Sequence, residues 1–298
     1  MDKTVILVTG SDRREMVREA LTKLGEAFTN AVKDAKKIFI HPNLVSPYNK
    51  AASTDVEVVR GIVDHISLIR SDEILIGDAS YYDTKKAFEI FSYPSLKRSG
   101  NIKLVDLNAE ATTQSYTYAS DLKKKPIGFS RIVSDSDLNI VVVPAKMHSY
   151  YIVTLSIKTH TVGSCVVKKS PFGIHARWPW FHTGFKSAHL SVADMYGVRP
   201  AQLAVIDATR AMEGEGPTSG DEMDLGWLIA SFNPVAADAL GAYLMGLDPS
   251  DIGYLYHLDK KGLGPIDPEA MSIMGADPKI LRRELKRPSS YPEILAWR

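Results

Sequence analysis

Short β-branched runs alternate with longer amphipathic segments along this chain. "TVILV" (4–8) and "KIFI" (37–40) each contain a short, mostly β-branched apolar run, which predicts a strand. Between them, residues 13–28 repeat apolar side chains at helical spacing, from Met16 through Leu24 to Phe28. Because strands and helices keep alternating, the pattern predicts an α/β fold with a mainly parallel sheet covered by helices on both faces.

The same reading predicts the remaining elements. Strands are expected at residues 73–78, 102–107, 138–144, 203–207 and 224–231. Helices are expected at residues 56–69, 83–93, 187–197 and 233–246. The last of these is the best delimited, because Asn233 can cap it, Pro234 suits its first turn and Gly246 suits its end.

Chain length favours one α/β domain over residues 1–298. Residues 108–130 are polar with few large aliphatic side chains, which indicates an edge hairpin or an insert. Residues 161–186 mix glycine, proline and aromatics, which is typical of a functional loop. Residues 247–298 are expected to form a small helical C-terminal extension, interrupted by glycines and prolines.

Composition narrows the class of protein. A net charge of +1 gives no reason to expect nucleic-acid binding. With Cys165 as the single cysteine, disulfides, CxxC zinc sites and iron–sulfur clusters ligated by this chain are excluded. No apolar run reaches the roughly 18–20 residues of a membrane span, and the first residues do not resemble a signal peptide. A cytoplasmic protein that does not bind membranes is therefore expected.

Polar residues follow the predicted strands. Ligands of parallel sheets bind at the carboxyl ends of the strands, and the segments there are 41–47, 77–80, 144–148 and 206–221. The first two of these make Asn43, Asp78 and Ser80 candidates for substrate binding.

A Lys-x-His unit occurs twice in the third segment and its continuation. Lys146 and His148 return twelve residues later as Lys158 and His160. In an extended chain all four side chains share one face, whereas in a helix the two pairs lie about 120° apart. The sequence leaves both readings open. In either conformation, lysine and histidine can lower each other's pKa and act on an anionic substrate as a base or as an electrostatic clamp.

The fourth segment, "MEGEGPTSGD" (212–221), alternates glycines with acids. Glycines let a backbone turn closely around phosphate or carboxylate oxygens. The candidates for such contacts are Gly214, Gly216, Thr218 and Ser219. Glu213 is instead a candidate catalytic or cation-binding acid, because carboxylates suit hard cations such as magnesium. A glycine-rich turn with solvated acids is the alternative.

Three histidines, His175, His182 and His189, are spaced by seven residues. The spacing matches no known metal-ligand pattern, and Pro179 interrupts a continuous helix. Of the three, His189 is favoured as a metal ligand because it begins a regular helical pattern.

In these same segments the chain resembles a bacterial and archaeal family, the domain of unknown function numbered 362. The resemblance rests on "HPNLVSP…TDVEVVR", "IGDAS", "PAKMH…VTLSIKTHTVG", "AHLSVADMYGVRPAQLAVIDATRAMEGEGPTSG" and "NPVAADALGAYLMG", in this order over about residues 37–246. It points to Asn43, Asp55, Asp78, Lys146, His148, Lys158, His189, Asp207, Glu213, Gly216, Pro217 and Asp238. The chain departs from the family pattern at His41, Thr159 and Asn233, where lysine, asparagine and aspartate are usual.

The first functional hypothesis is an enzyme for a small anionic substrate, with isomerase, racemase or lyase proton transfer favoured over hydride transfer. Lys146 and Lys158 would hold carboxylate or phosphate oxygens while His148 moves a proton. A divalent metal is compatible with this reading. Its ligands, or the groups that orient the lysines, would be Asp78, Asp207 and Glu213.

The second hypothesis is a ligand- or cofactor-binding partner of redox proteins without chemistry of its own. Some members of the resembled family carry ferredoxin-type cysteine clusters, which this chain lacks. The aromatic residues Trp178, Trp180 and Phe181 would form the docking patch. The alternative is that they fold back as a lid or core plug.

One geometric prediction decides whether these segments form a site. Since the carboxyl ends of parallel strands lie on one edge of a sheet, residues 77–80, 144–148, Lys158 and 213–220 are expected to meet in one cleft.

Overall fold

The apolar runs of the sequence become the strands of two sheets in the computed structural model, which describes residues 2–298. The strands span Thr4–Thr9 (β1), Ile38–Pro42 (β2), Ile74–Asp78 (β3), Ile102–Asp106 (β4), Thr112–Tyr118 (β5), Lys124–Ser130 (β6), Leu138–His148 (β7), Ile152–Thr154 (β8), Cys165–Val166 (β9), Leu203–Glu213 (β10), Asp221–Met223 (β11), Trp227–Ser231 (β12) and Ser272–Gly275 (β13).

The amphipathic segments become helices. They span Arg13–Leu24 (α1), Glu26–Asp34 (α2), Val56–Ser67 (α3), Thr84–Ile90 (α4), Arg131–Ser134 (α5), Ser156–Val162 (α6), Trp178–Phe181 (α7), Phe185–Val198 (α8), Pro234–Leu244 (α9), Gly253–Lys260 (α10), Pro278–Leu281 (α11) and Tyr291–Ile294 (α12). Short 3₁₀ turns occupy Tyr93–Arg98, Leu107–Ala109, Pro249–Asp251, Pro268–Ala270 and Leu295–Trp297.

One predicted helix is two helices. Residues 13–28 were expected to be continuous, but α1 ends at Gly25, which has φ of +57°. Its N–H bonds back to the carbonyls of Leu21 and Thr22, and α2 begins at the next residue. Glycine adopts this left-handed conformation without steric penalty, so it ends the helix although the apolar spacing continues.

The large sheet is mostly parallel, as predicted. Its strand order is β13-β1-β12-β10-β7-β2-β3-β4, with β11 pairing β10 and β8 pairing β7. Every pair from β10 to β4 is parallel, whereas β12 runs antiparallel to both of its neighbours, β1 and β10. The carboxyl ends of β7, β2 and β3 therefore lie side by side.

Helices cover both faces of this sheet, which confirms the predicted fold class. Along β7, Val141 and Val143 pack into a core shared with α8 and α9, while Ile140 and Val142 pack into a core shared with α1 and α3. Because side chains of a strand alternate between faces, one apolar run can serve both cores.

Residues 108–130 contribute to the second sheet. They contain the β5–β6 hairpin, and β6 pairs antiparallel with β9. The hairpin reading was therefore right, but the hairpin does not lie at an edge of the large sheet.

The C-terminal extension, 247–298, is not purely helical. Its strand β13 pairs in parallel with β1 and forms the edge of the large sheet. The sequence analysis missed β13 because "SIMG" is only four residues long and mostly exposed, so it carries no period of apolar positions.

Candidate functional site

A cavity of ≈ 440 Å³ opens at the carboxyl ends of β2, β3 and β7. We call it the strand-end cavity. The sequence-predicted residues that line it are Asn43, Asp78, Lys146, His148, Lys158, Pro217 and Thr218. They come from five separate parts of the chain, so the topology of the sheet brings together most of the polar segments that were expected to meet.

The two Lys-x-His units have different conformations. Lys146 and His148 are on β7, and the chain then turns into β8, which pairs Ile152 with His148. Ile152 has φ of +71°, a conformation that costs a β-branched residue on the order of 1–3 kcal/mol. This strained hairpin reverses the chain directly beside His148 and leads into α6.

Lys158 and His160 both belong to α6, but Lys158 lines the cavity and His160 does not. The Nε2 of His160 donates to the carbonyl of Arg199, 2.9 Å away, on the other side of the helix. Asp238 fixes the start of α6 by accepting from the N–H groups of Ser156 (2.8 Å) and Ile157 (3.0 Å). Its burial raises the pKa of Asp238 to about 7.

Lys146 is completely buried and its amine is held in place. The Nζ donates to Asn43 Oδ1 at 2.9 Å and to the carbonyl of Ala52. The amide of Asn43 is itself oriented, because its Nδ2 donates to Thr159 Oγ1 at 2.8 Å. Burial, and then the charge of Lys158, lowers the pKa of Lys146 well below its ordinary value. A neutral amine has two N–H donors, so these two acceptors match the neutral form.

Lys158 is the less constrained amine. Its Nζ lies 5.0 Å from the centre of the Tyr151 ring and makes no hydrogen bond to any of residues 2–298. The side chain lines the strand-end cavity while the residue is only 9% exposed. Burial lowers the pKa of Lys158 to about 7, so the amine is close to half protonated at neutral pH.

Two imidazoles stand beside the lysines. The Nδ1 of His148 accepts from the N–H of Tyr150 at 2.9 Å, which places the proton of the neutral ring on Nε2. Burial, followed by the charge of Lys158, lowers the pKa of His148 well below its ordinary value. His182 stacks on Tyr150 with ring centres 4.2 Å apart, and burial lowers its pKa to about 4. Both rings are therefore neutral at pH 7.

Asp78 is the one acid among the residues that line the cavity. Its Oδ1 lies 3.2 Å from His41 Nε2, and its Oδ2 accepts from the N–H of Leu44 at 2.8 Å. Gly163 permits this arrangement, because a Cβ there would lie 2.8 Å from the Asp78 carboxylate. Both carboxylate oxygens are thus engaged by the protein.

Arg177 adds a permanent positive charge to the cavity wall. It is buried, and it donates to the carbonyl of His175 (3.0 Å), to Asn108 Oδ1 (2.7 Å) and to the carbonyl of Cys165. Burial lowers its pKa from the ordinary value, and Asp78 opposes that effect.

Several predicted residues lie elsewhere. Ser80 uses its hydroxyl to hold the carbonyl of Leu44. Glu213 accepts from the N–H of Lys286 at 2.8 Å, so it binds the C-terminal extension. Asp207 is paired with Arg13 at 2.9 Å, and Arg13 in turn lies 3.6 Å from Asp55, the N-cap of α3.

The glycine-rich segment reaches the cavity only through Pro217 and Thr218. Gly216 packs so closely on the carbonyl of Met147 that a Cβ would overlap it, and this contact sets the segment against the end of β7. Gly214 and Ser219 do not line the cavity. This segment therefore closes the wall of the cavity and does not wrap around its contents.

The predicted cation ligands do not cluster. Within residues 2–298, no three side chains of the His, Cys, Asp and Glu types lie together as a metal-binding group. Asp207 and Glu213 are committed to Arg13 and Lys286, so only Asp78 of the three acids reaches the cavity.

The choice among the spaced histidines was wrong. His189 is buried in the core, where its Nδ1 accepts from the N–H of Tyr254 and its ring packs against Trp297. His182 lines the cavity instead. The seven-residue spacing carried no information, because His182 and His189 are on either side of the start of α8 at Phe185.

The aromatic segment mostly folds back onto the protein. Phe181 is 1% exposed, and Trp180 donates to the carbonyl of Pro126 at 3.1 Å. Trp178 remains 56% exposed at the mouth of the cavity. The lid or plug alternative thus describes two of the three rings, and docking of a redox protein stays a prediction.

Sequence reasoning missed Arg177, His182 and Tyr151 as cavity residues. The first two belong to "RWPWFHTGFK" (177–186), whose mixture of basic and aromatic residues was a signal for them. Tyr151 gave no signal, because it lay within a run that reads as an ordinary strand.

Comparison with known proteins identifies the family. The family described as a domain of unknown function (DUF362) matches residues 38–243, and the chain belongs to it. A thylakoid-associated protein of Synechocystis sp. is 24% identical over 256 residues, which cover 84% of this chain and 75% of that protein.

A solved structure shares the fold. It is the lactate racemase apoprotein from Thermoanaerobacterium thermosaccharolyticum, with a TM-score of 0.50 and 13% identity. The match covers 82% of this chain but only 57% of the racemase chain. Across residues 2–298, no helix is long and apolar enough to cross a bilayer. The cytoplasmic location stays a prediction.

Proposed function

We propose that this protein is an enzyme that binds a small carboxylate or phosphate in the strand-end cavity and transfers a proton on the bound molecule through His148. The observation that carries the proposal is the burial of Lys146, Lys158 and His148 around one cavity, from β7 and α6.

The charges of the cavity favour an anion. Arg177 is cationic and Lys158 is partly protonated at neutral pH. Asp78 is the one acid among the residues that line the cavity, and both of its carboxylate oxygens already have partners in the protein. Burial lowers the pKa of a lysine, and an anion placed beside the buried amine raises that pKa again. Anion binding should therefore raise the pKa of Lys158 above 7 and draw a proton from solution.

The imidazole of His148 suits proton transfer. It is neutral at pH 7, its Nδ1 is occupied by the N–H of Tyr150, and its Nε2 is the atom left for a ligand. A positioned imidazole with a fixed tautomer can donate a proton and take one back. The lactate racemase that shares the fold acts, by its name, on lactate, but that likeness concerns the fold, so the proposal depends on the cavity.

Calorimetry with L-lactate, malonate and inorganic phosphate tests the binding step. Each titration is run at pH 8 in two buffers that differ in ionisation enthalpy, which reveals proton uptake. We expect binding with uptake of protons, weakened in Lys158→Met. If none of the three anions binds and none raises the melting temperature, the anion-site proposal is wrong.

Hydrogen exchange tests the catalytic step. Carboxylates that bind are incubated with the protein in D₂O, and loss of the proton next to the carboxylate is followed by NMR. His148→Gln should slow the exchange by about 10²–10⁴-fold, while Lys169→Met, a change at an exposed position, should leave it intact. If a carboxylate binds but its proton does not exchange, the protein binds a ligand without catalysing proton transfer.

A further inference from the structure

The two buried lysines differ in a way that assigns them different chemistry. The amine of Lys146 is fixed by Asn43 and Ala52 and has no exposed surface. The amine of Lys158 faces the strand-end cavity without a hydrogen-bond acceptor in residues 2–298. Burial lowers the pKa of Lys158 to about 7, while its side chain still lines the cavity. A large share of the Lys158 amines is therefore neutral at pH 7 and can be reached by a molecule in the cavity.

We propose that Lys158 forms an imine with a small anionic carbonyl compound, of the 2-oxo acid class, bound in the strand-end cavity. This inference rests on the proposed function, since it names the substrate class of the same site. Lysines that are desolvated in a pocket are known to act as nucleophiles in this way, and burial alone accounts for the lowered pKa of Lys158.

The step balances without an oxidant or a reductant. The lysine nitrogen attacks the carbonyl carbon and a C–N bond forms. The carbonyl oxygen takes up the two hydrogens that the amine loses and leaves as water, so that a C=N bond replaces C=O. The Nε2–H of His148 can donate a hydrogen bond to the departing oxygen.

Two further features suit the product. The face of the Tyr151 ring, 5.0 Å from the lysine nitrogen, stabilises the positive charge that a protonated imine carries. A protonated imine also acidifies the neighbouring C–H bond by acting as an electron sink. In a 2-oxo acid this is the C–H bond of the carbon beyond the imine carbon.

The test measures how fast each lysine reacts with glyoxylate, the smallest 2-oxo acid. Full-length protein is incubated at pH 7 with glyoxylate and cyanoborohydride, which reduces imines to stable amines. Proteolytic digestion and mass spectrometry then give the rate for each lysine. After reduction, the mass of the modified lysine is increased by the mass of glyoxylic acid minus one oxygen atom. Lys158 should be modified at least about tenfold faster than the exposed Lys169, because its neutral form is far more abundant at pH 7.

A conservative variant separates charge from reactivity. Lys158→Arg keeps a cation at this position, so it should still bind lactate in calorimetry, but it should show no fast-reacting lysine. Modification of Lys158 at or below the rate of Lys169, or preferential modification of Lys146, would overturn the inference.

The two proposals fail separately. If lactate and glyoxylate bind but Lys158 is not selectively modified, the anion site stands and the imine is wrong. If Lys158 is selectively modified while no anion binds, the reactive amine stands and the proposed function is wrong.

Discussion

Replacing Lys158 with methionine should stabilise the protein at neutral pH and lose that advantage as the pH rises. Burial lowers the pKa of this lysine from the ordinary 10.5 to about 7 in the folded protein. Methionine has a similar length and no charge, so it fills the same space beside Tyr151 without a buried amine.

The direction follows from the protons bound in each state. Between about 7 and 10.5 the unfolded chain keeps the lysine proton and the folded chain has released it. The free energy of unfolding of the wild type therefore rises with pH across this window. The penalty for burying the amine is complete below about 7 and is gone above the ordinary lysine pKa.

The magnitude follows from the size of the pKa change. At about 1.4 kcal/mol for each tenfold change in proton affinity, the full penalty is roughly 5 kcal/mol. Between pH 6 and pH 9 about half of it disappears, so the advantage of Lys158→Met over wild type should shrink by roughly 2.5 kcal/mol. Titrating groups that Lys158 does not influence, such as Asp238, are common to both proteins and cancel in the difference.

Urea unfolding followed by tryptophan fluorescence at pH 6, 7.5 and 9 measures this difference. Lys169→Met is the matched control, because Lys169 is exposed and its charge is hydrated in both states. A difference between wild type and Lys158→Met that stays constant from pH 6 to pH 9 would show that the lysine keeps its ordinary pKa. Lys158 would then be protonated at neutral pH and would not be a reactive amine.

Two further pairs of substitutions test how the site is built. Gly163→Ala should destabilise the protein by about 1–3 kcal/mol, since its Cβ would lie 2.8 Å from the Asp78 carboxylate. Gly197→Ala, whose Cβ would have its nearest neighbour at 3.6 Å, should be neutral or stabilising by up to about 1 kcal/mol in the same thermal melts. Phe181→Ser should cost about 3 kcal/mol or more and Trp178→Ser under about 1 kcal/mol, because the first ring is 1% and the second 56% exposed. Equal losses for the two aromatic variants would contradict the folded-back arrangement.

The sequence by itself determined the long strands of the large sheet and the polar residues at their ends, but not its short strands β8, β11 and β13. The run "IVVVP" (140–144) is apolar at every position, and a short, β-branched run of this kind is typical of a strand buried on both faces. Asn43, Asp78 and Lys146 could then be placed at one edge, because parallel strands present their carboxyl ends together. These inferences succeeded because strand burial and strand polarity are local properties of the chain.

Only the tertiary structure decided which of the polar residues share the cavity and in what protonation state. Glu213 directly follows Met212, the register partner of Lys146, yet it binds the C-terminal extension, a segment that lies far along the chain. His182 and not His189 reaches the cavity because α8 begins between them. The lowered pKa values of Lys146 and Lys158 come from the removal of water by elements distant in sequence. Desolvation depends on everything that packs around a group, and that environment is assembled only when the chain has folded.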